Sequence, residues 1–195
     1  MLPAVSTDHP LPEPTPHEAS TTVRRFDHAV DAFFERTTRD KEPIDRLMYG
    51  ATELGDFGLI WGCLAWAKAL AGEEQTTKAV QITATLAVES VLVNGVIKNA
   101  FRRERPVFQG DRPHHLRIPL TTSFPSGHAS SAMVAAILLS DGARFPAAYF
   151  AVAGVVAASR VHVKIHHASD VLGGLAVGAV IGLGARTVLR RRNRE

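Results

Sequence analysis

The sequence contains a single cysteine, Cys63, which excludes a disulfide-stapled scaffold and leaves no Cys pair for a structural metal. Aromatic residues make up only 7% of the chain, and no aromatic-rich basic face accompanies the formal charge of +3, so nucleic acid is not an expected partner. Alternating apolar–polar runs bounded by hairpin turns are missing, and with them any sign of a sheet. The chain opens without a basic start and an apolar core, so its first residues do not read as a secretory signal. A hydrophobic content of 46% is too high for a disordered protein.

That content is unevenly spread. Residues 1–22 carry Pro3, Pro10, Pro12, Pro14 and Pro16 among Ser, Thr and acidic residues, which predicts a disordered leader that activity does not need. In residues 23–53, Phe26, Val30, Phe33 and Phe34 recur at helical spacing among charged residues. This predicts an amphipathic N-terminal helix, lying on a membrane interface or packed on its own domain. Residues 54–189 hold about five apolar runs: Leu54–Ala71, Ala79–Ile97, His128–Ser140, Phe145–Ser159 and Asp170–Leu189. Several approach the ~20 residues that cross a bilayer core, and the Gly- and Ala-rich last run permits close helix approach in lipid. Lys68 and Glu89 are costly inside such spans unless they snorkel or pair. The expected fold is all-α, a multi-span helical membrane bundle; the competing architecture is a soluble all-α bundle of unusually apolar helices. Residues 190–195 form a basic tail suited to anionic lipid.

Three polar blocks interrupt the runs, and antiparallel helices would place all three on one side of the bundle. They bring together Lys98, Arg105 and Arg160, whose mutual repulsion calls for a multiply charged anion. Ser126 and Gly127 precede a helix start, where free N–H groups and a missing side chain suit phosphate. His128 stands at the same terminus. His166 and Asp170 are spaced to face each other on a helix, so that the carboxylate fixes the imidazole tautomer and leaves its other nitrogen as nucleophile or base. Two histidines around one phosphate allow one to attack and one to protonate the leaving oxygen. His162, spaced to share a helix face with His166, offers a metal-ligand reading, but no acidic or Cys pair supports it. His114 and His115 read as solvated loop residues.

Taken in order, Lys98-x6-Arg105-Pro106, then Pro125-Ser126-Gly127-His128, then Ser159-Arg160-x5-His166-x3-Asp170 resembles the three-part signature of the type 2 phosphatidic acid phosphatase family, which also takes in bacterial acid phosphatases and vanadium haloperoxidases. Every specified position matches, over a resemblance spanning about Leu54 to Leu189. It implies metal-independent hydrolysis of a phosphate ester with no cofactor. His166 would form a phosphohistidine, oriented by Asp170, and His128 would protonate the leaving alcohol and then activate water. Lys98, Arg105, Arg160, Ser126 and the Gly127 amide would hold the phosphoryl oxygens. The departure is size: five apolar runs, where larger membrane members have six spans.

The expected partners are a phosphorylated lipid substrate and membrane lipids; the sequence does not specify an oligomeric state. The substrate class covers phosphatidate, phosphatidylglycerophosphate, polyprenyl diphosphate and polyprenyl-phosphate sugar phosphate. The alternatives are an acid phosphatase or haloperoxidase-like enzyme acting on soluble substrates, and a non-catalytic anion-binding membrane protein. The expected location is a bacterial cell membrane, multi-pass. The arginines of the two ends give opposite answers about which side the site faces.

Overall fold

The computed structural model describes residues 22–109 and 112–192. The predicted leader lies outside the described residues except for Thr22, as do the last three residues of the basic tail. Among the described residues every regular element is helical.

Where the sequence reads one N-terminal amphipathic helix, the chain forms two. Helix α1 covers Thr22–Thr37 and α2 covers Glu42–Gly55. The Thr37 and Thr38 hydroxyls fold back onto the Phe33 and Phe34 carbonyls, Asp40 turns the chain at φ 60°, and Pro43 restarts a helix it could not have continued. The packed face also differs from the apolar stripe. Val30 and Phe34 press on the bundle, Phe26 and Phe33 face outward, and the buried side chain of α1 is Asp27.

The first apolar run is broken near its start. A 3-10 turn, Asp56–Gly58, separates α2 from α3 (Leu59–Ala69), with Phe57 at φ 54° and Gly58 at φ 69°. The link read before the second run is shorter than expected, because Glu73 and Glu74 sit favourably in the first turn of α4 (Glu73–Ser90). That helix widens into a π-helical stretch, Val91–Ile97, and ends in the short α5, Lys98–Ala100. The remaining runs form α6 (Gly127–Leu139), α7 (Pro146–His162) and α8 (Ala168–Arg192).

Helix α6 is apolar all round and occupies the centre, against α4, α7 and α8. Its contact with α8 depends on a glycine ridge. A Cβ at Gly174 would lie 2.3 Å from the Ser126 carbonyl oxygen, and one at Gly178 would lie 2.3 Å from that of Ser130. Gly178→Val should therefore force the two helices apart and cost about 1–3 kcal/mol, read as a lowered Tm in detergent. An unchanged Tm would show that the ridge is not needed.

The continuous stretch Glu73–Ala100 and helix Ala168–Arg192 are long and apolar enough to cross a membrane, by length and composition. Their outer faces expose Val80, Val88, Val91 and Val96, and Val180, Leu183 and Val188. Lys68 does not hang in apolar surroundings, since its Nζ donates to the Leu139 carbonyl at 3.2 Å and lies 5.5 Å from the Tyr149 ring.

Candidate active site

The signature blocks converge where α5 and α7 end and α6 and α8 begin. The Ser126 amide donates to the Asp170 carbonyl at 3.0 Å and so sews the two helix starts together. Ser126 is the N-cap of α6, its hydroxyl accepting from the Ala129 amide at 3.4 Å. Gly127 is packed so closely that a Cβ there would stand 3.3 Å from Asn94 Oδ1 and 3.9 Å from Lys98 Nζ. Lys98 is buried, and its ammonium donates to Thr121 Oγ1 at 3.1 Å.

Arg105 is held from several sides. Its guanidinium donates to the carbonyls of Ile165 (2.9 Å), Thr121 (2.9 Å) and Thr122 (3.2 Å). Arg160 is the opposite case. It is 0% exposed, and none of its three guanidinium nitrogens has a hydrogen-bond partner among the described residues. A buried cation without acceptors is strongly unfavourable, so the position is set up for an anion that arrives with its own oxygens.

His166 does not lie on a helix as its spacing to Asp170 implied. Asp170 accepts the His167 amide at 2.8 Å, and α8 begins only at Ala168. His166 Nδ1 is 3.8 Å from Asp170 Oδ2, within ion-pair reach, and Ser123 lies beside both. The Ser123 hydroxyl lies 2.6 Å from that oxygen and 3.5 Å from Nδ1. On the other side of the ring an Arg105 N–H reaches Nε2 at 3.2 Å. Arginine can only donate, so Nε2 accepts and Nδ1 carries the proton, which leaves a lone pair facing the cations. Burial pushes His166 down to about 3; Asp170 opposes this, while the charges of Arg160 and Arg105 add to it. The ring is therefore neutral at ordinary pH.

The second histidine has a carboxylate too, one that sequence reading passed over. His128 Nε2 lies 3.0 Å from Asp56 Oδ1. Burial alone would raise the Asp56 carboxyl, but His128 and the charges of Arg160 and Arg117 outweigh it and hold it below its usual range.

Asp170 is also tied to the N-terminal segment. Arg103 donates to Asp170 Oδ1 and to Asp27 Oδ2, both at 2.6 Å. The Ser169 amide and hydroxyl each reach Asp27 at 2.8 Å. Arg39, between α1 and α2, donates to the Val161 and His162 carbonyls at 2.9 and 2.8 Å, a cation at the C-terminal end of α7. His162 turns away from His166, with Nε2 2.7 Å from Asp45 Oδ1 and Nδ1 3.0 Å from Thr38 Oγ1, so the shared-metal geometry does not form. His114 stacks edge-on against Tyr49 at 5.2 Å, whereas His115 is exposed.

The sequence model of the PAP2 superfamily matches residues 78–194. The chain belongs to the PAP2 superfamily. Decaprenylphosphoryl-5-phosphoribose phosphatase of Mycolicibacterium smegmatis is 37% identical over 133 residues, 66% of this PAP2 chain and 71% of that protein. The Mycobacterium tuberculosis protein of the same name is 37% identical over 90 residues, 45% of this chain; the match spans only about half of that relative, 48% of its length. Among solved structures, a transmembrane PAP2-type phosphatidylglycerolphosphate phosphatase from Bacillus subtilis superposes with a TM-score of 0.68 at 22% identity, covering 90% of each chain. Aquifex aeolicus LpxE superposes with a TM-score of 0.64 at 21% identity over 82% of this chain and 94% of its own. These two likenesses place the fold within PAP2 architecture.

Proposed function

We propose that this PAP2 chain is an integral membrane phosphatase that removes a terminal phosphate from a lipid through a phosphohistidine. The observation that carries the reading is the buried Arg160 without acceptors, in whose field both His128 and His166 stand. Lys98, Arg105, Arg160, the Ser126 hydroxyl and the Gly127 amide hold the phosphoryl oxygens and neutralise charge there, the main demand of phosphoryl transfer. His166 Nε2 attacks phosphorus as the ester P–O bond breaks, and the leaving oxygen takes a proton from His128. Water then gives its proton to His128 and attacks phosphorus, and the P–N bond breaks to free phosphate and His166. Asp170, with Ser123 beside it, acts on His166 and keeps the proton on Nδ1.

Residues 54–189 form the catalytic bundle, and residues 23–53 brace its catalytic end. Helices α3, α6 and α7 join the two longer spans to give five crossings of a bacterial cell membrane, the three shorter ones tilted or starting below the interface. The 37% identity to decaprenylphosphoryl-5-phosphoribose phosphatases favours a polyprenyl-phosphate sugar phosphate as substrate.

The test is phosphate release by purified protein in micelles from four substrates: phosphatidate, phosphatidylglycerophosphate, a polyprenyl diphosphate and a polyprenyl-phosphate pentose phosphate. The last is expected to show the highest kcat/KM. Release from none of them would refute the phosphatase reading. Activity is expected to survive EDTA, because three protein cations already neutralise the phosphate. Complete loss restored by magnesium would overturn that.

A further inference from the structure

The turn between α2 and α3 is built around one contact that the family signature does not contain. Asp56 Oδ1 sits 3.0 Å from His128 Nε2. The residue before it, Gly55, lies so close to the imidazole that a Cβ there would stand 2.7 Å from His128 Cδ2. The two residues after it, Phe57 and Gly58, are both left-handed, at φ 54° and 69°. For Phe57 that conformation is strained, and such strain is retained where it holds something in place. The same end of α2 is anchored beside the site, with the buried Thr52 Oγ1 2.7 Å from Ser159 Oγ, next to Arg160.

The surroundings of His128 explain why a carboxylate would be needed. Arg160 of α7 faces the ring with a positive charge, the backbone of Thr52 in α2 approaches it, and Arg117 of the long loop acts on Asp56. Lys98 stands beside the preceding residue, Gly127. Burial first, and then the charge of Arg160, disfavour a charged imidazole here. Asp56 supplies the opposing charge. The contact is within ion-pair distance but is not aligned as a hydrogen bond, so His128 Nε2 is left without a proper acceptor.

We infer that Asp56 is a positioning residue that orients His128 and supplies the negative charge that favours its protonated form as the leaving oxygen arrives, so that the site works with two histidine–carboxylate pairs. The proton passes from His128 Nε2 to the leaving oxygen as the P–O bond breaks; Asp56 stays ionised throughout. This rests on the phosphatase reading above.

The experiment compares wild type, Asp56→Asn, Asp56→Glu and His128→Ala on an alkyl lipid phosphate and on p-nitrophenyl phosphate, whose leaving group needs little protonation. For Asp56→Asn the loss in kcat/KM is expected to be at least tenfold larger on the alkyl ester than on the aryl ester, following the pattern of His128→Ala. The alkaline limb of the pH–kcat/KM profile should move to lower pH by about one unit or more, because removing a negative charge within ion-pair reach favours the neutral imidazole. Asp56→Glu, which keeps the charge, should recover most of the limb position. Continued turnover of the aryl ester by Asp56→Asn shows that it is folded. Equal losses on both esters with an unmoved limb would overturn the role of Asp56. A wild type that releases phosphate from neither ester would instead refute the phosphatase reading.

Discussion

His166→Ala is expected to abolish the trapping of labelled phosphate on the protein after acid quench, and to lower turnover on the order of 10⁴-fold. The expectation follows from the two sides of the ring. Nε2 accepts from Arg105 and faces the cations, while Nδ1 is turned towards Ser123 and Asp170. Because burial keeps the imidazole neutral, no deprotonation has to precede attack, and loss of His166 itself should not appear as an acid limb above about pH 5. Asp170→Asn should still bind substrate yet lose most turnover, since the Ser123 hydroxyl would no longer be held by a carboxylate. His128→Ala should still trap label from a substrate with a good leaving group. If His166→Ala traps label while His128→Ala never does with any substrate, the two roles are reversed.

Arg160→Met is expected to separate activity from stability. Its side chain is completely buried and makes no hydrogen bond among the described residues, so in the anion-free protein the cost of burial and repulsion from Arg105, Arg112 and Arg117 oppose its attraction to Asp56. Replacing it with an apolar side chain of similar length should leave the Tm of phosphate-free protein unchanged or raise it. The same change removes the most enclosed donor to the phosphoryl oxygens. It should lower kcat/KM by about 10²–10³-fold and weaken vanadate inhibition in step. A variant that loses stability and activity together would show that Arg160 holds the fold rather than the substrate.

The convergence of the cations and histidines was legible in the sequence because they come in three short blocks, each at the edge of an apolar run. The glycine ridge of α8 was legible as a small-residue pattern, though its partner carbonyls on α6 were not. What escaped notice were residues whose role depends on pairing across long separations. Asp56 reads as an interruption at the head of an apolar run, Ser123 as one more hydroxyl in a loop, and Asp27 as the polar face of an amphipathic helix. Asp27 is the clearest case. A stripe of Phe and Val sets the expected buried face of α1, yet the charged neighbour goes inside, because Arg103 and Ser169 are there to receive it. The His166–Asp170 spacing pointed to the pair but not to its backbone. The two come within 3.8 Å although His166 precedes α8, and the aspartate also accepts the His167 amide at the start of that helix.

The tie from Asp27 to Arg103, Ser169 and Asp170 has a consequence for how the fold is completed. Helix α1 is synthesised before the rest of the described chain, but the groups that neutralise its aspartate lie in the loop after α5 and at the head of α8. Until those have been made, docking α1 would bury a bare carboxylate, so it waits at the surface while the central helices assemble. Its docking and the bracing of the catalytic aspartate are then one event. A nascent or C-terminally truncated chain should be catalytically silent however much of its apolar bundle has already inserted, and phosphatase activity would appear only when the earliest helix closes on the latest.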